Sequence, residues 1–113
     1  MLLRLESQRN LAEAWERGEV WPLLEKLPDG AALAARVAEL DRLLRQVLDT
    51  CAAFFEARRN LSPKEYALQV QTQLPAWLWP VAFAARRGVA GAEAVARRAA
   101  ARRWLAEAGP GPA

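Results

Sequence analysis

Seven residues, Leu33, Val37, Leu40, Leu44, Val47, Cys51 and Phe54, follow one another at alternating steps of four and three. That spacing puts all seven on one stripe of a helix, so the stretch from Gly30 to Arg59 reads as a single long helix with a heptad seam. Leu43, Leu48 and Phe55 lie beside the stripe and widen it beyond a two-stranded zipper, which points to packing against several other helices. Arg36, Glu39, Arg42 and Gln46 keep the opposite side polar, and Asp41 and Arg45 have the spacing of an ion pair there. The rest of the chain has to cover this helix.

With 113 residues the chain is long enough for one core, and the reading is a single helical-bundle domain over 1–108 with a disordered tail over 109–113. Gly is sparse, no stretch alternates with period two, and most prolines fall where helices begin or break, so the fold class is all-α: a small bundle of about five helices. There is no His and a single Cys, Cys51, which excludes an internal disulfide and the usual zinc sites; no metal or cofactor is expected. Residues 1–6 form too short and too charged a stretch for a signal peptide, and no segment approaches a membrane span, so the expectation is a cytoplasmic protein away from membranes.

The first helix is expected over Leu2 to Arg17, with Leu5, Ala12 and Trp15 on one face and Gly18 as its stop. A short second helix follows within 19–27, where Pro22 pushes Trp21 towards an extended conformation, and Pro28-Asp29-Gly30 turns the chain into the long helix. The clearest start signal is Ser62-Pro63-Lys64-Glu65: a capping hydroxyl, Pro at the first helical position and Glu three residues after the cap. Tyr66, Val70 and Leu74 share one side of that helix, while Gln69, Gln71 and Gln73 make another side polar and uncharged. Pro75 and Pro80 bracket Trp77 and Trp79, and Arg86-Arg87-Gly88 reads as a basic helix end. Residues 89–91 read as a linker to a last helix over Ala92 to Ala108, packed weakly through Val95, Ala99 and Ala106.

The formal charge of +3 hides an uneven distribution: residues 1–85 carry 10 Lys+Arg against 11 Asp+Glu, and residues 86–113 carry 6 Arg against 2 Glu. Arg86, Arg87, Arg97, Arg98, Arg102 and Arg103 therefore form the main candidate for phosphate contact, with Arg58, Arg59 and Lys64 as a smaller second cluster. Each has a plainer reading as well. Arginines can extend over the alanines of a solvated helix, and cations at a helix C-terminus are favourable for local reasons. Of five Trp, Trp15, Trp21 and one of Trp77 or Trp79 are most simply core; a Trp left exposed in the Trp77–Trp79 region would suit a protein interface. Nothing resembles a catalytic apparatus: the commonest general base is missing, Ser62 is better used as a cap, and no phosphate loop or dinucleotide fingerprint occurs.

Tyr66, Leu74-Pro75, Ala82-Phe83-Ala84 and Gly88, with Gln8-Arg9 followed by Ala12 and Ala14, resemble the pattern of the small all-helical subunit of type III CRISPR effector complexes. The resemblance implies a non-catalytic protein of antiviral defence, whose copies stack along an effector and line a basic surface beside the guide RNA and its target. The arginines that fit such a role are the same six, then Arg58, Arg59 and Lys64. Three expectations follow, the first two being a helical subunit of a nucleoprotein complex that contacts RNA or single-stranded DNA backbone, and a helical protein-interaction module such as an adaptor or phage regulator. A homo-oligomeric bundle with a structural role is the third.

Overall fold

Ser7 accepts the Asn10 amide at 3.5 Å and so starts the first helix at an unpaired donor. The computed structural model describes residues 7–28 and 30–108, and the expectations for Leu5, Asp29 and the 109–113 tail fall outside them. Among the described residues six α-helices follow in order: α1 (Gln8–Glu16), α2 (Val20–Glu25), α3 (Gly30–Glu56), α4 (Pro63–Gln73), α5 (Trp79–Arg87) and α6 (Val89–Ala108), with a 3₁₀ turn at Ala76–Leu78. Among the described residues there is no strand, so the all-α class holds. All seven seam residues of α3 are buried. No helix of the described residues is long and apolar enough to cross a membrane.

The chain divides into two compact units, one comprising Met1–Leu43 and Ala100–Ala113, the other Leu44–Ala99. In the first, α1 ends as its glycine requires: Gly18 N–H donates to Trp15 O at 3.0 Å and Glu19 N–H to Ala14 O at 2.9 Å, the bond pair of a Schellman cap. Trp21 is helical rather than extended, because Pro22 stands in the first turn of α2, where an amide donor is not needed. Gly30 opens α3 against the end of α2, and a Cβ there would lie 2.5 Å from the Leu24 carbonyl oxygen. Since that oxygen is backbone and cannot swing aside, Gly30→Ala is expected to cost about 1–3 kcal/mol, measurable as a lower urea midpoint at unchanged slope.

Two indoles fasten this unit. The Trp15 indole N–H donates to Asp41 Oδ1 at 2.8 Å, and the Trp104 indole N–H donates to Glu39 Oε2 at 3.1 Å. Positions 39 and 41 lie on nearly opposite sides of a helix, so α1 and α6 are each tied to α3 by an indole–carboxylate bond. Leu40, between the two acids in the chain, is fully buried. Asp41 thus serves a tryptophan, where its spacing had suggested an ion pair with Arg45.

In the second unit, the Ser62 hydroxyl accepts the Glu65 amide at 3.2 Å and donates to the Glu65 carboxylate at 2.9 Å, with Pro63 at the first helical position of α4. Tyr66 and Val70 are buried as their spacing requires. Tyr66 is the hub: its ring meets Phe54, Phe55 and Phe83 edge-on at 5.8, 5.9 and 6.5 Å between centroids, and its hydroxyl donates to Ala82 O at 2.8 Å. Gly88, at φ 126° and ψ 160°, ends α5 in a conformation open essentially to glycine alone.

The last helix differs from expectation in two respects. It begins at Val89, because Gly91 sits in its first turn, where a glycine costs little, and Gly88 alone breaks the chain. Among its described side chains the buried ones are Ala92, Ala96, Ala100, Ala101 and Trp104, whereas Ala106 is exposed and Val95 and Ala99 are half-buried. Ala92, Ala96 and Ala100 recur at steps of four, and Trp104 continues the stripe and bonds to Glu39.

Candidate nucleic-acid interface

The unit Leu44–Ala99 holds 8 Lys+Arg and 4 Asp+Glu, a net of +4, while the other unit holds 8 and 9, a net of −1. The positive charge therefore belongs to a structural unit and not simply to the C-terminal end of the chain. Arg102 and Arg103 fall in the nearly neutral unit; Arg86, Arg87, Arg97 and Arg98 fall in the basic one together with Arg58, Arg59 and Lys64. Three of the four acids of the basic unit are already engaged: Glu56 with Arg59 at 2.9 Å, Glu93 with Arg97 at 3.7 Å, and Glu65 with the Ser62 hydroxyl.

The nine candidate cations divide by environment. Lys64, Arg87, Arg98 and Arg102 are exposed and form no ion pair among the described residues. Arg59, Arg97 and Arg103 each face a carboxylate on their own helix or helix end, Arg103 meeting Glu107 at 3.0 Å. Such pairs, with at least one partner exposed, contribute a few tenths of a kcal/mol, about 0.3–0.5 on a helix, and open readily to a competing phosphate.

Arg58 and Arg86 are held by the aromatic hub. The Arg58 guanidinium stacks 3.8 Å from the Phe54 centroid. It donates from Nε to Gln69 Oε1 at 2.6 Å, from Nη2 to Gln73 Oε1 at 2.7 Å and from Nη1 to Phe54 O at 3.1 Å. Two of the glutamines expected on a solvated face are thus a clamp, one turn apart on α4, that fixes the end of α3. Arg86 lies 5.2 Å from the Tyr66 centroid, and its Nη1 is buried without a hydrogen-bond partner among the described residues.

Burial pushes the Cys51 thiol up to about 11. Burial also raises the Tyr66 hydroxyl, helped by Cys51, while Arg86 and Arg58 draw it back. Both groups are neutral in the fold at pH 7, so their contribution to stability is complete below the ordinary thiol value of about 8.5 and is lost as pH rises through the raised value. The native thiol should be silent to Ellman's reagent at pH 8 and react once per chain in denaturant; fast labelling of the native protein would mean that Cys51 is not buried.

The tryptophans are distributed differently from the sequence reading. Trp15 and Trp104 are buried, at 1% and 7% exposure, but Trp21 is 51% exposed and is not core. It stands beside Pro22 on a six-residue helix whose inward positions belong to Val20 and Leu24. Trp77 and Trp79, the proposed interface pair, are both half-buried, and the Trp79 indole donates to Leu74 O at 2.8 Å, closing the turn between α4 and α5. Among the described residues Leu68, 62% exposed on the outer side of α4, is the other large apolar residue in solvent.

No protein family, curated protein or solved structure matches this chain. What the structure defines is a class: an all-α protein with one basic unit whose cations outnumber its acids two to one.

Proposed function

We propose that this protein is a non-catalytic helical subunit of a cytoplasmic nucleoprotein complex, of the kind found in CRISPR effectors, that contacts the backbone of RNA or single-stranded DNA. The observation that carries this reading is the net charge of +4 on the unit Leu44–Ala99, with Lys64, Arg87 and Arg98 exposed there and outside every ion pair among the described residues. Exposed cations of this sort bind phosphate with release of the counterions condensed on the nucleic acid, a sequence-independent and salt-sensitive mechanism. Arg97 and Arg59 join them once a phosphate displaces their own carboxylates. Other protein subunits, or further copies of the chain, would complete the surface.

The test is binding of a fluorescent uridine 15-mer by the purified full chain, titrated at several salt concentrations. Four phosphate contacts on a single strand give a log–log slope of about −2.8, so affinity should fall about 50-fold between 50 and 200 mM salt. No binding at low salt would overturn direct contact by the isolated chain.

A second reading has its own observation. Trp21 and Leu68 are large apolar residues left in water, and Trp is enriched where interfaces concentrate binding energy. An adaptor-like module docking through Trp21 would lose its partner on Trp21→Ala with circular dichroism unchanged.

A further inference from the structure

We infer that Arg86, seated over Tyr66, is a receptor for a phosphate-type oxyanion, whether a phosphodiester of a bound strand or free phosphate. The strand form rests on the proposed function; the oxyanion site itself does not.

A guanidinium carries five N–H donors and a permanent charge. Among the described residues, Nη1 of Arg86 is buried without a hydrogen-bond partner and no carboxylate pairs with the guanidinium. It lies over the Tyr66 ring, 5.2 Å from the centroid. Arg58, on the same aromatic cluster, shows what a structural arginine looks like, since three neutral oxygens take its donors. Buried donors in folded proteins are almost always satisfied, so one that is not points to a partner absent from the chain itself.

The chemistry of that partner follows from the surroundings. Two guanidiniums rest on one aromatic cluster and neither pairs with a carboxylate among the described residues, so their combined charge favours an anionic group over a neutral one. A planar fork meets two oxygens of one phosphate in a bidentate contact, which a point charge cannot reproduce. The Tyr66 ring sets the fork's position, and its hydroxyl is already spent on Ala82 O. Arg86 keeps part of its surface in solvent, and Arg87, exposed and outside any ion pair among the described residues, is next to it in the last turn of α5. A cation is favourable at a helix C-terminus in any case. That local benefit accounts for the charge of Arg86, but it provides no acceptor for the buried nitrogen.

The experiment follows the arginine Nε–H signals of the 15N-labelled full chain by NMR, with the Arg86 signal identified by its absence in R86K. Inorganic phosphate at low ionic strength is titrated first, then the uridine 15-mer. Phosphate should shift the Arg86 signal and leave that of Arg58, which is bonded to Gln69, in place. R86K keeps the charge but loses the fork, and should weaken 15-mer binding about tenfold, whereas R87K should stay within about twofold. A signal moved by both probes supports the strand form. One moved by phosphate alone supports the oxyanion site and separates it from nucleic-acid binding. An Arg86 signal unmoved by either probe, measured on the wild-type chain and so independent of any folding defect in R86K, overturns the inference.

Discussion

Trp15→Ala should lower the unfolding free energy by about 3–5 kcal/mol, a large part of what a domain of this size possesses. The indole is 1% exposed, and its removal both empties a core position and deletes the bond that ties α1 to Asp41 on α3. The two contributions can be separated. Asp41 is itself exposed, so water can solvate its carboxylate when the indole is gone, and Asp41→Ala alone should cost only about 1–2 kcal/mol. A double-mutant cycle by urea denaturation should then give a coupling of similar size. If Trp15→Ala costs less than about 1 kcal/mol, α1 is not docked through this residue.

The largest effect on binding is expected from the combined variant K64E/R87E/R98E. It turns the unit Leu44–Ala99 from a net of +4 to −2 without touching a buried residue or a hydrogen bond of the aromatic hub. Affinity for the uridine 15-mer should fall by at least about a hundredfold at 50 mM salt, and the log–log slope should flatten by about 2, since each lost phosphate contact removes about 0.7. Anisotropy titrations of wild type and variant side by side provide the measurement. Unchanged affinity in a folded variant would exclude these cations as the contact surface and favour the reading built on Trp21.

The architecture was legible where side-chain type contrasts strongly along the chain. The α3 seam is a repeat of bulky apolar residues against polar ones, and all seven positions are buried. Ser62-Pro63-Lys64-Glu65 states a helix start in three independent ways, and α4 begins there. Periodicity fails on α6, where alanines on every side give no contrast between inward and outward faces. There the buried stripe is picked out by Trp104, whose acceptor, Glu39, is 65 positions away in the chain.

The candidate site was legible as a set of residues and not as a set of roles. Arg58 and Arg59 are identical neighbours in the sequence, yet one is locked between two glutamines and a Phe54 carbonyl while the other makes an exposed pair with Glu56. The signal that could have separated them is the step of four between Gln69 and Gln73, which puts two neutral acceptors on one face of α4. Neutral amides give no charge pattern to read. Trp21 shows the converse: its size suggested a core position, but the short helix that carries it spends its inward positions on Val20 and Leu24.

The indole–carboxylate bonds also make the protein its own spectrometer. Trp15 and Trp104 sit out of water while Trp21 stands in it, so the intrinsic emission should contain a blue-shifted, quencher-resistant component and a red, acrylamide-sensitive one. Half-buried Trp77 and Trp79 add to the emission. The part of the red component lost in Trp21→Phe would therefore report events at α2, and the blue one would report loss of the grip on α3. An unlabelled sample could then distinguish the docking of a partner from the unfolding of the chain.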